Sequence, residues 1–177
     1  AVDVVLAGSA LVQAAQSLVS RNTDPLDSAV VSVTRFQAGH ADNVLPETAV
    51  LGGTVRSLNG ELQDKLEDGL RRICSGIEAT YRVSIDLRYE RGYPPTINAA
   101  DPTFIAREVA RHVVGDGQVM TQLPPSMGAE DFAYVLEKVP GAMFFLGVAQ
   151  AGEDWARCCG IHSTRMMVDE KVLPHGA

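Results

Sequence analysis

"SAVVSVTRFQAGHADNVLPETAVLGGTVR", residues 28–56, is the stretch on which the fold turns. Its two ends, 28–36 and 48–56, are runs rich in β-branched residues, the composition of strands. Between them lies the polar loop "AGHADNVLPE", with His40, Asp42 and Asn43. The reading is therefore an antiparallel pair. Gly52 and Gly53, inside the second run, predict a bulge or a close backbone approach.

Working outward, Asp3 caps a helix in which Ala7, Leu11, Ala14, Ala15 and Leu18 recur with helical period. That helix is expected to end near Asn22, ahead of Pro25. After the strand pair, Asn59 is the expected N-cap of a second helix carrying Leu62, Leu66, Leu70, Ile73 and Ile77. "RVSIDLRYE", 82–90, then alternates apolar and polar residues, which predicts a half-exposed strand. The order α-β-β-α-β is a ferredoxin-like unit without its first strand, and that strand is central in such a sheet. The simplest explanation is a piece of something longer.

"RGYPPTINAADP" makes a linker-like break at 91–101. Beyond it, Asp101 and Pro102 predict an N-cap and first helical position, with Ile105, Val109, His112 and Val113 as a buried stripe. "GAEDFAYVLEKV" predicts a short helix with Phe132, Val135, Leu136 and Val139 on one face. "GAMFFLGVA" is a continuous apolar run, the pattern of a strand covered on both sides. "DEKVLPHGA" reads as a helix only just begun.

Composition narrows the function. A formal net charge of −7 argues against nucleic-acid partners, which require a basic surface. No apolar run reaches the roughly 18 residues of a membrane span, and the first residues lack the form of a signal peptide. The three cysteines, Cys74, Cys158 and Cys159, do not make a disulfide framework, which points to a reducing compartment and the cytoplasm.

Three polar groups could carry chemistry. Around His40, Asp42 and Asn43, ordinary turn chemistry accounts for the residues present. The functional alternative pairs the Asn43 amide with the Arg56 guanidinium, close by in the antiparallel pairing, as a carboxylate grip. In "LPPSMGAEDF", Ser126, Gly128 and Ala129 precede a helix whose free N–H groups could receive an anion, while Glu130 and Asp131 could simply favour the helix dipole. His162 stands near Cys158 and Cys159, but adjacent cysteines rarely both reach one tetrahedral ion and no fourth ligand is near. Spacing alone argues against a local zinc site.

Taken together and in order, residues 20–57, "RGYPPTINAADP", "LPPSMGAEDFAYVLEKVPGAMFFLGVA" and "IHSTRMMVDEKVLPHGA" resemble the dimetal amidohydrolases. This is the aminoacylase/carboxypeptidase family of metallopeptidases, in the branch that includes hippurate hydrolase and the indole-acetyl-amino-acid hydrolases. The resemblance covers about residues 3–177. It implies an α/β (α+β) fold in two parts. Residues 1–94 would be a ferredoxin-like lid and dimerisation domain lacking its first strand. Residues 95–177 would be the C-terminal part of a zinc-peptidase-like catalytic domain.

The resemblance also implies roles. His162 matches a metal ligand. Asn43 and Arg56 match lid positions that hold the substrate carboxylate or a transition-state oxygen, and Ser126, Met127 and Gly128 match the loop beside the substrate. It implies two divalent metal ions (Zn, Mn, Co or Ni) in the full-length enzyme, an N-acyl amino acid substrate of hippurate type, and a homodimer or higher homo-oligomer through the lid. The remaining ligands and the general base would lie upstream of this sequence, so no catalytic residue is assigned within it and the isolated chain is expected to be inactive. His40, Cys158 and Cys159 fall where the family varies. The rival is a non-catalytic ferredoxin-like module that dimerises or binds a small molecule. Such a module would have no use for "SMGAEDF" or "IHSTRMMVDE".

Overall fold

The computed structural model describes residues 2–150, 152, 160–161 and 163–176. The chain forms two compact units, one running through Pro95 with Pro125–Ala133 added, the other made of Thr96–Pro124 and the residues from Tyr134 onward. The architecture mixes helices with one small sheet.

In the first unit, helix α1 (Val4–Ser20) starts where Asp3 accepts hydrogen bonds from the Val5 and Leu6 amides. Strands β1 (Ala29–Ala38) and β2 (Ala49–Ser57) pair antiparallel. Helix α2 (Gly60–Tyr81) is capped by Asn59, whose side chain accepts from the Leu62 amide, and ends at Arg82 in the left-handed conformation with φ of 57°. Both helices stack on one face of the hairpin. Leu18 and Leu66, each 2% exposed, meet Ala15, Val31 and Leu62 in a single core. Fully burying such a leucine stabilises by roughly 1.5–3 kcal/mol.

The paired glycines have a geometric cause. Val33 faces Gly53 and Arg35 faces Gly52, which leaves Thr34 as the extra residue of a β-bulge. At Gly53 an added Cβ would fall inside the contact distance of the Ser32 carbonyl oxygen. At Gly69 it would sit 2.5 Å from the Leu18 methyl, so this glycine lets α2 approach α1.

Residues 83–90 correct one expectation. Their side chains alternate between half-buried and exposed as the sequence predicts, yet they join no ladder; the sheet contains β1 and β2 only. The segment is held by side chains of α2 instead. The Ile85 amide donates to Glu78 Oε1 at 2.7 Å. Arg91 binds Asp64 at 2.6 Å and Glu67 at 2.8 Å, and Arg71 also binds Glu67 at 2.6 Å. Alternation reports which side faces the helices, whereas a ladder also needs a neighbouring strand, and none among the described residues lies beside this one.

The hydrogen bond from Arg71, followed by that from Arg91, holds the Glu67 carboxyl below its ordinary value of 4.5. A carboxyl depressed in the folded state contributes stability above its unfolded pKa and loses it as pH falls through the folded value. The thermal midpoint is therefore expected to drop as pH falls below 4.5, and Glu67→Gln to flatten that part of the profile. Identical acid profiles for the variant and parent would dismiss the network as a contributor.

In the second unit, helix α3 (Ala100–Val114) begins two residues earlier than the sequence suggests. Ala99 is the N-cap, without a side-chain bond, and Asp101 lies in the first turn. The helix ends at Gly115 (φ 86°), followed by a 3-10 turn over Asp116–Gln118. The expected buried stripe is instead exposed: Ile105 is 61% accessible, and Val109, His112 and Val113 are exposed with it.

The run 141–149 likewise forms no strand, and Phe144 and Phe145 are 64% and 71% accessible. It is fixed by isolated bonds. Asn98 exchanges two 2.8 Å bonds with the Met143 backbone, the Ala99 amide donates to the Gly141 carbonyl, and the Asp169 amide donates to the Val148 carbonyl. Both misreadings share a cause. An apolar pattern states what a segment is suited to cover, and no described residue of this unit is buried.

Helix α4 (Phe132–Leu136) is shorter than the sequence implied and buries Ala133, while Val135 and Val139 stay exposed. The chain closes with a 3-10 turn, Glu170–Val172, capped by Asp169, and helix α5 (Leu173–Gly176).

Candidate functional site

Arg56 is the site residue whose surroundings are best defined. It stands opposite Val30, one position before the core residue Val31. Side chains alternate along a strand, so Val30 and Arg56 project from the face away from the helices. The Arg56 guanidinium is exposed and donates from Nη1 to the Met127 carbonyl at 2.6 Å. Among the described residues it has no carboxylate partner, unlike Arg71, Arg88, Arg91, Arg107 and Arg111.

The loop that supplies this carbonyl has a local order of its own. The Gly128 amide donates to Ser126 Oγ at 3.2 Å, and the Phe132 amide donates to Glu130 Oε1 at 3.3 Å. Glu130 thus occupies an N–H group that the sequence offered to a bound anion. Its carboxylate takes one N–H group at the start of the helix. Ser126, Met127 and Gly128 are brought to Arg56 as a loop with one backbone oxygen anchored.

Beside this contact lies an open cavity of about 530 Å3, with Val19, Thr23, Asp24, Asp27, Val30 and Met127 in its wall. That is within the usual size range of small-molecule pockets, roughly 300–1,000 Å3.

Asn43 is placed elsewhere. It sits in the turn between β1 and β2, where the Val44 amide donates to the Ala41 carbonyl. Its side chain is exposed and unpaired among the described residues. Arg56 lies at the opposite end of β2, whose first residue is Ala49. At about 3.4 Å per residue the strand alone separates them by roughly 20 Å or more. The sequence reading of two neighbours gripping one carboxylate within a single chain is therefore wrong. Antiparallel pairing brings opposite residues together, not the loop and the far end of its strand.

His162, Cys158 and Cys159 lie outside the described residues. Among the described residues, no group of three or more His, Cys, Asp or Glu side chains could hold a metal ion. Cys74, buried on α2, has its thiol pKa raised chiefly by burial, the signature of an inert core cysteine. The contact of Arg56 with the Met127 carbonyl is what the sequence did not disclose. Every residue carries such an oxygen, and only the tertiary contact singles this one out.

The model of peptidase family M20/M25/M40 matches residues 5–177, and the chain belongs to that family. It is 36% identical to the N-acetyldiaminopimelate deacetylase of Bacillus pumilus over 97% of this chain and 43% of that protein. It is 34% identical to the IAA-amino acid hydrolase ILR1-like 2 of Arabidopsis thaliana, over 99% of this chain and 40% of that one. Among solved structures it is similar to Bacillus subtilis YXEP, a dinuclear metal binding peptidase of family M20. The TM-score is 0.76 and the identity 29%, covering 98% of this chain and 42% of YXEP. The chain thus spans less than half the length of these relatives. Among the described residues, no helix is long and apolar enough to cross a membrane.

Proposed function

We propose that this chain is the substrate-gripping portion of a metal-dependent amidohydrolase that cleaves the amide bond of N-acyl amino acids. The observation that carries the reading is Arg56, a guanidinium held by the Met127 carbonyl yet, among the described residues, without a carboxylate partner, beside the Ser126–Gly128 loop. A planar fork of N–H donors suits a carboxylate, and holding that group positions the scissile amide. Family membership supplies the reaction class, and the relatives' names, a deacetylase and an amino-acid conjugate hydrolase, support acylated amino acids as substrates, hippurate among them.

In the full-length protein His162 serves as one ligand of a pair of divalent ions, and the other ligands and the general base come from outside this sequence. When bound, such ions supply an activated water and polarise the amide carbonyl. Residues 1–94 act as the lid and dimerisation domain and 95–177 as part of the catalytic domain. The unpaired segment 83–90, pinned to α2, supports a ferredoxin-like sheet completed by a strand from elsewhere in the protein. Cysteine usage favours the cytoplasm.

The test is kinetic. In the full-length protein, Arg56→Ala is expected to raise KM for N-benzoylglycine by tenfold or more, since a hydrogen bond between charged groups contributes about 1.5–3 kcal/mol, and to raise KM for the corresponding amide far less. Equal effects on both would remove the carboxylate contact.

The separation of Asn43 from Arg56 favours a homodimer in which Asn43 of one copy serves the substrate held by Arg56 of the other. Mixing Asn43→Ala and Arg56→Ala proteins under subunit exchange should then restore activity that neither has alone. A mixture no more active than its components would rule the shared site out.

A further inference from the structure

We propose that Arg56 holds the Ser126–Gly128 loop and the substrate carboxylate at the same time, so that carboxylate binding and loop order are thermodynamically coupled. This rests on the reading of Arg56 as the carboxylate contact and goes beyond it by assigning a positioning role to the Met127 carbonyl. Guanidinium carries five N–H donors in one plane, and the Met127 oxygen takes one of them, at Nη1. A carbonyl is a neutral acceptor, so the contact fixes the side chain without cancelling its charge. An ion pair such as those of Arg71, Arg91 and Arg111 would do both. The remaining donors stay available as a pre-aimed fork.

Two consequences follow from the shared guanidinium. The loop's hold on Arg56 removes rotamer freedom that a carboxylate would otherwise have to remove on binding. By reciprocity, a bound carboxylate immobilises Arg56 and strengthens the anchor of the loop by the same factor. The internal bonds of the loop, Gly128 to Ser126 and Phe132 to Glu130, carry that order along 126–132. Lysine could not replace arginine here, because an ammonium is a point donor that lacks the planar fork needed to serve a carbonyl and a carboxylate in fixed relation.

Amide hydrogen exchange across residues 125–133 of the full-length protein provides the test, with N-benzoylglycine and its amide as probes. Exchange there is expected to slow severalfold with the acid and to stay constant with the amide. Arg56→Lys is expected to speed exchange of the free protein about tenfold and to abolish the response to the acid, with KM rising and kcat changing little. If Arg56→Lys and Arg56→Ala both leave the exchange of the free protein unchanged, the loop anchor is wrong, whatever happens to KM. If the variants loosen the loop but acid and amide act alike in the parent, the coupling is overturned while the Arg56–Met127 contact stands, and the carboxylate reading is decided separately by KM for the acid against the amide.

Discussion

Gly53→Ala is expected to destabilise the hairpin unit by about 3 kcal/mol or more, at the upper end of what overpacking costs. The added methyl would be driven into the Ser32 carbonyl oxygen and would also crowd the Ser32 carbonyl carbon at 3.0 Å and Val33 Cα at 3.1 Å. These are backbone atoms of the partner strand. They can retreat only by opening the ladder at the bulge where Thr34 is already unpaired. With total stabilities of about 5–15 kcal/mol for natural domains, such a loss would be plain as a lowered denaturant midpoint. Gly76→Ala is the matched control. It lies inside α2 with open space around its Cβ, so alanine should stabilise by up to about 1 kcal/mol through helix propensity. Equal midpoints for Gly53→Ala and the parent protein would refute the close approach.

The second large effect concerns the metal. In the full-length protein, His162→Ala is expected to lower bound divalent metal, measured by elemental analysis, and to reduce hydrolysis of N-benzoylglycine by more than 100-fold. Mutating residues that merely orient a metal ligand costs roughly 10–100-fold, and removing the ligand itself should exceed that. Cys158→Ser and Cys159→Ser should leave metal content and rate near those of the parent. Unchanged metal in the His162 variant would strike it from the ligand set. The exchange experiment on 125–133 is independent of this outcome, because Arg56 and Met127 belong to a different part of the chain.

Much of the first unit was legible in the sequence because its signals are local. Asp3 and Asn59 cap where their short oxygen-bearing side chains reach the first amides, and Leu18, Leu62 and Leu66 follow the helical period. Gly52 and Gly53 mark the bulge, where at Gly53 an added Cβ would meet the backbone of Ser32 and at Gly52 only the Arg35 side chain. The second unit was less legible. Ile105 and Phe144 are apolar enough to be core residues, but burial is a property of what stands opposite them, and among the described residues nothing covers them.

The candidate site divides in the same way. Arg56, Asn43, the Ser126–Gly128 loop and His162 are singled out by the order of four motifs that resemble a known family, since spacing alone argues against His162 as a ligand and for plain turn chemistry around Asn43. Tertiary structure alone decided which of them meet. Arg56 sits 71 positions from Met127 in the chain yet 2.6 Å from its carbonyl, whereas Asn43, only 13 positions from Arg56, stands at the hairpin's other end. A strand carries its residues apart at a fixed rise, and only folding brings distant segments back together.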